Sequence, residues 1–365
     1  MSRIDELIQE KCANGVKFCP LGDVAELKRG GTITKNEANA AGSIPVVAGG
    51  RTAAYYHDQS NRNGPVIVVA GSGAYAGFVS WWPTPIWVSD AFSVVAKKDA
   101  LLDKFVFYFL LSKQDWLHSQ KSGGGVPHVY PKDVAKIQVP LPPLEVQREI
   151  VRILDAFTEL EAGLEAELEA RKKQYEYYRN QLLTFKQGGV RLIPMGELVN
   201  NVRPPFSINR PDYGQSGRYP IIDQGQSFIA GYVDDEESLL PSGEYVVFGD
   251  HTRTVKYVNF PFAQGADGLQ ILRTKDHINA KYFFHAMSAS KMPNRGYNRH
   301  WSLVKNMEIP VPDLTKQVEI VEILDYFESL VSDITIGLPA ELKARRQQYE
   351  YYRDRLLSFK ELDAA

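Results

Sequence analysis

The feature that most constrains this chain is an internal repeat. Residues 170–186 read ARKKQYEYYRNQLLTFK and residues 344–360 read ARRQQYEYYRDRLLSFK, identical at 12 of 17 positions. Upstream, VPLPPLEVQREIVRILDAF (139–157) faces IPVPDLTKQVEIVEILDYF (309–327), 170 residues apart rather than 174. The four additional residues of the second copy fall around Gly337-Leu338-Pro339, where Gly and Pro break and restart a helix. The remaining halves match weakly but in register: CPLGDVAELKRG (19–30) with IPMGELVNNVRP (193–204), IPVVAGG (44–50) with YPIIDQG (219–225), and VIVVAGSGAY (66–75) with EYVVFGDHTR (244–253). A fixed-period repeat dictates architecture before any local reading does. Here the helical parts agree and the front parts diverge, as expected of two domains that keep one scaffold and recognise two different things.

The helical parts carry their own signature. After a Pro-rich entry, Val146, Ile150, Ile153, Leu154 and Phe157 recur at helical spacing. Beyond Gly163, Leu164, Leu168, Arg171, Tyr175, Tyr178, Leu182 and Phe185 are spaced alternately four and three, as are Leu338, Leu342, Arg345, Tyr349, Tyr352, Leu356 and Phe359. That alternation is a coiled-coil seam of about three heptads. Twenty-two helical residues span roughly 33 Å, close to one turn of B-DNA at about 34–36 Å. The front parts hold short apolar runs at 66–70, 86–89, 245–248 and 270–272, punctuated by Gly, Pro and Asn and followed by helical stretches at 104–111 and 280–287.

The expected fold is therefore α+β. Two mixed α/β front domains (1–143 and 188–313) are separated by helical regions (144–187 and 314–365) whose long helices pair antiparallel as a coiled-coil spacer, under an internal pseudo-twofold repeat.

Composition excludes several classes. Hydrophobic residues at 44% and charged residues at 24% are ordinary for a globular protein. No apolar run of eighteen residues argues for a membrane span, and the first residues lack a signal-peptide core, so a cytoplasmic protein is expected. Cys12 and Cys19 fit neither a disulfide framework nor a zinc motif, and the seven histidines lack metal-ligand spacing. No P-loop is present. Arg203-Pro-Pro-Phe206 puts Arg where an amino-methyltransferase needs an amide or carboxylate, and Asp313 with Glu341 and Lys343 reads as a helix N-cap beside a seam, not a nuclease site. No catalytic or metal-ligating residue is assigned.

The net charge of −2 does not by itself suggest nucleic acid. Residues 1–143 hold 15 basic and 12 acidic groups (+3) and residues 188–313 hold 13 of each, so the excess acid lies in the helical regions.

Three loop sets recur in both copies. They are 28–32 opposite 202–206, 71–75 opposite 249–253, and 121–128 opposite 294–301. Glycines let such loops approach a groove closely, and Arg, Asn and His supply donors for base edges. The candidates for DNA contact are Lys28, Arg29, Ser72, Tyr75, Lys121 and His128 in the first copy. In the second they are Arg203, His251, Arg253, Arg295, Asn298, Arg299 and His300, with 294–301 the richest patch. In the repeated helical block, Tyr175, Tyr177, Tyr178 and Arg179, with Tyr349, Tyr351, Tyr352 and Arg353, are partly seam and partly an outward face on which the same partner would dock twice.

The opening IDELIQEKCANGVKFCPLGDV, the segment PLPPLEVQREIVRILD and the block YEYYRNQLLTF together resemble the specificity (S) subunits of type I restriction–modification enzymes, over essentially the whole chain. That resemblance implies two target-recognition domains, each reading one half of a bipartite site in double-stranded DNA, and helical regions that set the gap and dock two methyltransferase subunits. It further implies restriction (translocase–nuclease) subunits in the full complex, with S-adenosylmethionine, ATP and Mg belonging to the partner subunits and no cofactor in this chain. A rival reading of another class is a protein-interaction adaptor of the same architecture without DNA sequence specificity.

Overall fold

A computed structural model describes residues 3–33, 42–97, 99–121, 126–185, 189–266, 268–296, 298–332 and 337–362. Packing divides the chain into two compact units, Met1–Leu164 with Leu342–Ala365, and Glu165–Glu341. These units cross the repeat boundaries, because each takes a length of helix from the other repeat. The principal helices are α1 (Asp103–Ser112), α2 (Leu144–Leu182), α3 (Ala280–Ala289), α4 (Leu314–Ser332) and α5 (Leu338–Leu356). Gly163 does not interrupt α2, which runs unbroken for 39 residues. Pro339 sits in the first turn of α5, where a missing N–H is tolerated; residues 333–336, just before it, lie outside the described residues.

The first unit holds an antiparallel four-stranded sheet in the order Ala25–Arg29, Ala91–Ala96, Val66–Ala70, Val79–Trp82. Val66–Ala70 is buried throughout, as its unbroken apolar sequence requires of an inner strand covered on both faces. A three-stranded sheet places Ile44–Val47 between Tyr55–His57 and Trp87–Val88, parallel to the latter. The second unit repeats the plan: Val199–Val202, Leu269–Thr274, Tyr245–Gly249, Val255–Val258, with Tyr219–Ile222 parallel to Phe262–Gln264 in a second sheet. In each unit a two-stranded clasp joins entry to exit, Phe18–Pro20 to Gln138–Pro140 and Arg191–Pro194 to Glu308–Val311.

The helices complete these cores. Val146, Ile150 and Leu154 of α2 are fully buried in the first unit, each contributing about 1.5–3 kcal/mol on burial. Ile320, Val321 and Leu324 of α4 do the same in the second. The far ends are exchanged: Leu356 and Leu357, from the second repeat, enter the first core, and Leu183, from the first repeat, enters the second. In the first unit Phe157 packs on Tyr349 and Tyr352, and Glu161 pairs with Arg346, so α2 and α5 run antiparallel there. In the second unit Tyr178 stacks on Phe327 with ring centroids 5.2 Å apart.

One buried side chain fastens each helix to its own domain. Gln147 Nε2 donates to Ala100 O and Pro142 O, while its Oε1 accepts from Leu102 N at the start of α1. Gln317 repeats this with Pro312 O, His277 O and Asn279 N. Both glutamines are fully buried, so their removal leaves buried backbone groups unpaired at about 1–3 kcal/mol each. Gln147→Leu and Gln317→Leu are each expected to lower unfolding free energy by about 3 kcal/mol. Urea denaturation of the full chain reads this, and an unmoved midpoint would show the amide to be dispensable.

Candidate nucleic-acid interface

In the first unit the three recurrent loops converge. Arg29 ends its strand, Ser72 follows Val66–Ala70, and His128 lies on the third loop; Ser72 and His128 face each other in a β-bridge. Val129 N donates to Gly71 O and Gly73 N to Pro127 O, fixing the second loop to the third. Between them opens a cavity of about 280 Å³ lined by Arg29, Ser72, Ser89, Asp90, His128 and Tyr130. The His128 ring stacks on Tyr130 at 6.0 Å, and the Arg29 guanidinium lies 5.8 Å from the same ring. This is a polar, concave patch with donors, acceptors and a π face.

Lys28 is exposed on the same strand but does not line the cavity. Tyr75 and Lys121 form a separate group: Lys121 Nζ donates to Ala74 O, and Arg51 sits 5.0 Å from the exposed Tyr75 ring. Residues 122–125 of the third loop lie outside the described residues.

Arg62, which carries no motif in the sequence, anchors the first loop. Its Nε donates to Ser93 Oγ and its second terminal nitrogen to Lys28 O and Arg29 O. Burial draws this guanidinium below its usual range, with nearby Glu26 opposing. Gly30 lets the chain pass close against the Val88–Ser89 backbone, since a Cβ there would lie 2.1 Å from Ser89 O.

In the second unit the 249–253 turn and the 294–300 loop are stitched together. Asp250 Oδ1 accepts from His300 N and Trp301 N, and Arg253, in the left-handed region at φ 63°, reaches Met292 O. His251 donates its backbone N–H to Gln224 Oε1. Arg295, Asn298 and Arg299 are exposed at the top of this loop, and Asn298 Nδ2 donates to Arg295 O. Tyr297 lies outside the described residues. Arg203 is exposed after Val199–Val202, and no hydrogen bond, ion pair or ring contact among the described residues joins it to the other two loops.

His300, expected to contact DNA, lies in the interior instead. It is fully buried, with Nδ1 hydrogen-bonded to Asp250 O and Nε2 accepting from Arg295 N. A ring nitrogen accepting from an N–H leaves the other to donate. His300 therefore holds the loop from below and offers no donor to a groove.

The repeated tyrosine block divides similarly. Tyr175, Tyr178, Tyr349 and Tyr352 take part in packing within the units, and burial pushes the Tyr175 and Tyr349 phenols up to about 12. Arg179 and Arg353 lie over the Tyr175 and Tyr349 rings. Tyr177 and Tyr351 are each 59% exposed and Tyr178 and Tyr352 less so, so the outward face is carried mainly by Tyr177 and Tyr351.

Asp313 caps α4, its Oδ1 accepting from Lys316 N. Cys12 and Cys19 are free thiols pushed up by burial. No helix among the described residues is long and apolar enough to cross a membrane.

Two copies of one sheet plan, with helices exchanged between them and divergent polar loops on top, define an internally duplicated α+β chain. The family described as the type I restriction modification DNA specificity domain matches residues 14–170 and again 190–344, and the chain belongs to that family. The chain is 29% identical to the type I restriction enzyme EcoR124I/EcoR124II specificity subunit of Escherichia coli, over 96% of each. Its fold is similar to the S subunit of a type I restriction–modification system from M. genitalium, with TM-score 0.66, 16% identity and coverage of 94% of this chain and 96% of that one. A chain of the type I R-M system, solved in work on its complex assembly and conformational transition, matches at TM-score 0.58 and 19% identity over 94% and 97%.

Removing the His300 ring leaves Arg295 N unpaired and takes one of two hydrogen bonds from Asp250 O, which keeps the one from the backbone N–H of residue 300. His300→Ala is expected to cost about 2 kcal/mol of stability, whereas Arg299→Ala leaves the melting temperature unmoved. A thermal melt of both variants separates the buried support from the exposed loop, and equal melting temperatures would place His300 at the surface.

Proposed function

We propose that this chain is the sequence-specific DNA-recognition subunit of a type I restriction–modification complex. The two loop-bearing domains read the two halves of a bipartite target in duplex DNA. The helices set the gap as a coiled-coil spacer and dock two methyltransferase subunits, to which the restriction subunits add. The chain supplies no catalytic group; adenine methylation from S-adenosylmethionine, and ATP- and Mg-dependent translocation and cleavage, belong to the partners. The observation that carries this reading is convergence. Loops scattered over 100 residues meet at one polar cavity in the first unit, and two of the three corresponding loops are stitched together in the second. Divergent loops on a repeated scaffold suit two different half-sites.

The near-neutral charge favours the rival adaptor reading, and salt-dependent binding to duplex DNA separates the two. With the methyltransferase present, charge reversal at Arg295 and Arg299 is expected to weaken binding and to lower the slope of log affinity against log salt by about two; unchanged affinity would remove the 294–299 loop from the interface. A genome-wide adenine-methylation map, with and without the chain, should show a split motif that depends on it. Exchanging residues 1–143 should then alter one half of that motif alone, and a map with no chain-dependent motif would favour the adaptor.

Exposed aromatics make strong anchors when buried by a partner. Tyr177→Ala with Tyr351→Ala is expected to leave folding intact and weaken assembly with the methyltransferase at least tenfold, measured by calorimetric titration. Unaltered assembly would place docking elsewhere.

A further inference from the structure

Each unit has a polar seam where the domain helix meets the long helix, and the two seams are furnished differently. In the first unit Tyr108 of α1 hydrogen-bonds Asp155 and lies 3.4 Å from Thr158 Oγ1, and Lys104 pairs with Asp155. In the second unit Lys281 and His285 stand on α3 with the same four-residue spacing, and Asp325 and Glu328 stand on α4 170 residues after Asp155 and Thr158. The lysine and the first carboxylate are kept. A phenol has become an imidazole, and a hydroxyl has become a second carboxylate.

The His285 side chain is 1% exposed, with Nε2 3.2 Å from Asp325 Oδ1, while its buried Nδ1 has no hydrogen-bond partner among the described residues. One donor atom each from His285, Asp325 and Glu328 lies within 4.8 Å of the others. A cavity of about 330 Å³ adjoins the two carboxylates, lined by Asp325, Glu328, Lys281 and Thr254 among others, with room for water.

We propose that His285, Asp325 and Glu328 form a binding site for a divalent transition cation, best matched by Zn²⁺, in the second unit and not in the first. Zn–N and Zn–O bonds of about 2.1 Å in a tetrahedron put neighbouring ligand atoms about 3.4 Å apart. The His285–Asp325 separation already matches, and a rotamer change of the half-buried Glu328 closes the rest. Water from the cavity supplies a fourth ligand. An imidazole among the donors selects against Mg²⁺ and Ca²⁺, which take oxygen sets. Two cations compete: the Arg179 guanidinium acts on His285 and Glu328, and the Lys281 ammonium pairs with Asp325 but at 37% exposure can turn to solvent as the dication enters. The bound ion would tie α3 to α4, strengthening the attachment that Gln317 makes at the other end of the same helix pair.

The test is calorimetric titration of the chelator-stripped full chain with Zn²⁺, with thermal melts alongside. One equivalent is expected to bind and to raise the melting temperature. Glu328→Gln and His285→Ala should each weaken binding at least tenfold, while Lys281→Met, which removes the competing ammonium, should tighten it. A purely structural ion-pair network predicts the reverse for Lys281→Met: lower stability and no gain in affinity. Absence of an equivalent that both ligand variants remove, or Mg²⁺ binding as tight as Zn²⁺, would overturn the proposal.

Discussion

The structure depends on one exchange: neither core is closed by its own repeat. Phe157 of the first repeat packs on Tyr349 and Tyr352 of the second, and Tyr178 of the first stacks on Phe327 of the second. Aromatic pairs of this geometry add about 0.5–1.5 kcal/mol beyond their buried area. The near identity of the two tyrosine blocks follows from this. Each block must fit the helix of the opposite repeat, so a change in one copy meets an unchanged partner and leaves an ill-packed ring. The front domains escape that constraint, because the loop contacts among the described residues are to their own scaffold.

Freedom of the loops still has a foundation in anchored polar groups, half-buried at Arg62 and buried at Asp250 and His300. Arg62 ties the strand edge carrying Lys28 and Arg29, and Asp250 with His300 ties the loop carrying Arg295 and Arg299. These anchors differ between the units, as do the loops they hold. Each loop has its own fastening, whereas the helices share one device, the buried glutamine. A low-dielectric setting strengthens such bonds and makes any unpaired member costly, so exposed residues can vary only while the buried anchor beneath them is kept.

Much of the fold was legible in the sequence because it is local. Periodicity marks 66–70 and 245–248 as strands and 104–111 and 280–287 as helices, and the structure places Val66–Ala70, Tyr245–Gly249, Asp103–Ser112 and Ala280–Ala289 there. The allocation of helix halves was not legible, since period alone does not say which of two similar cores an apolar face enters. His300 and Arg299 are neighbours of similar polarity, and only tertiary placement puts one in the interior and the other at the surface. Arg62 stands in a loop of ordinary composition, and His285 meets Asp325 from 40 residues away, beyond any spacing rule for metal ligands.

Charge bears on how such a chain would read DNA. A net charge of −2 gives little long-range attraction to phosphate, and the acid is concentrated in the helical regions that the proposed function assigns to protein partners. Base-edge hydrogen bonds act only at contact distance, so they discriminate among sequences without first drawing DNA in. Under that function, most of the phosphate-neutralising surface belongs to the partner subunits, and this chain adds a few cations such as Arg295 and Arg299 beside its discriminating groups. The isolated chain would then bind DNA weakly but retain its preference. The acidic helices would also repel DNA, leaving the mildly basic first front domain and the neutral second one as the faces that can approach it.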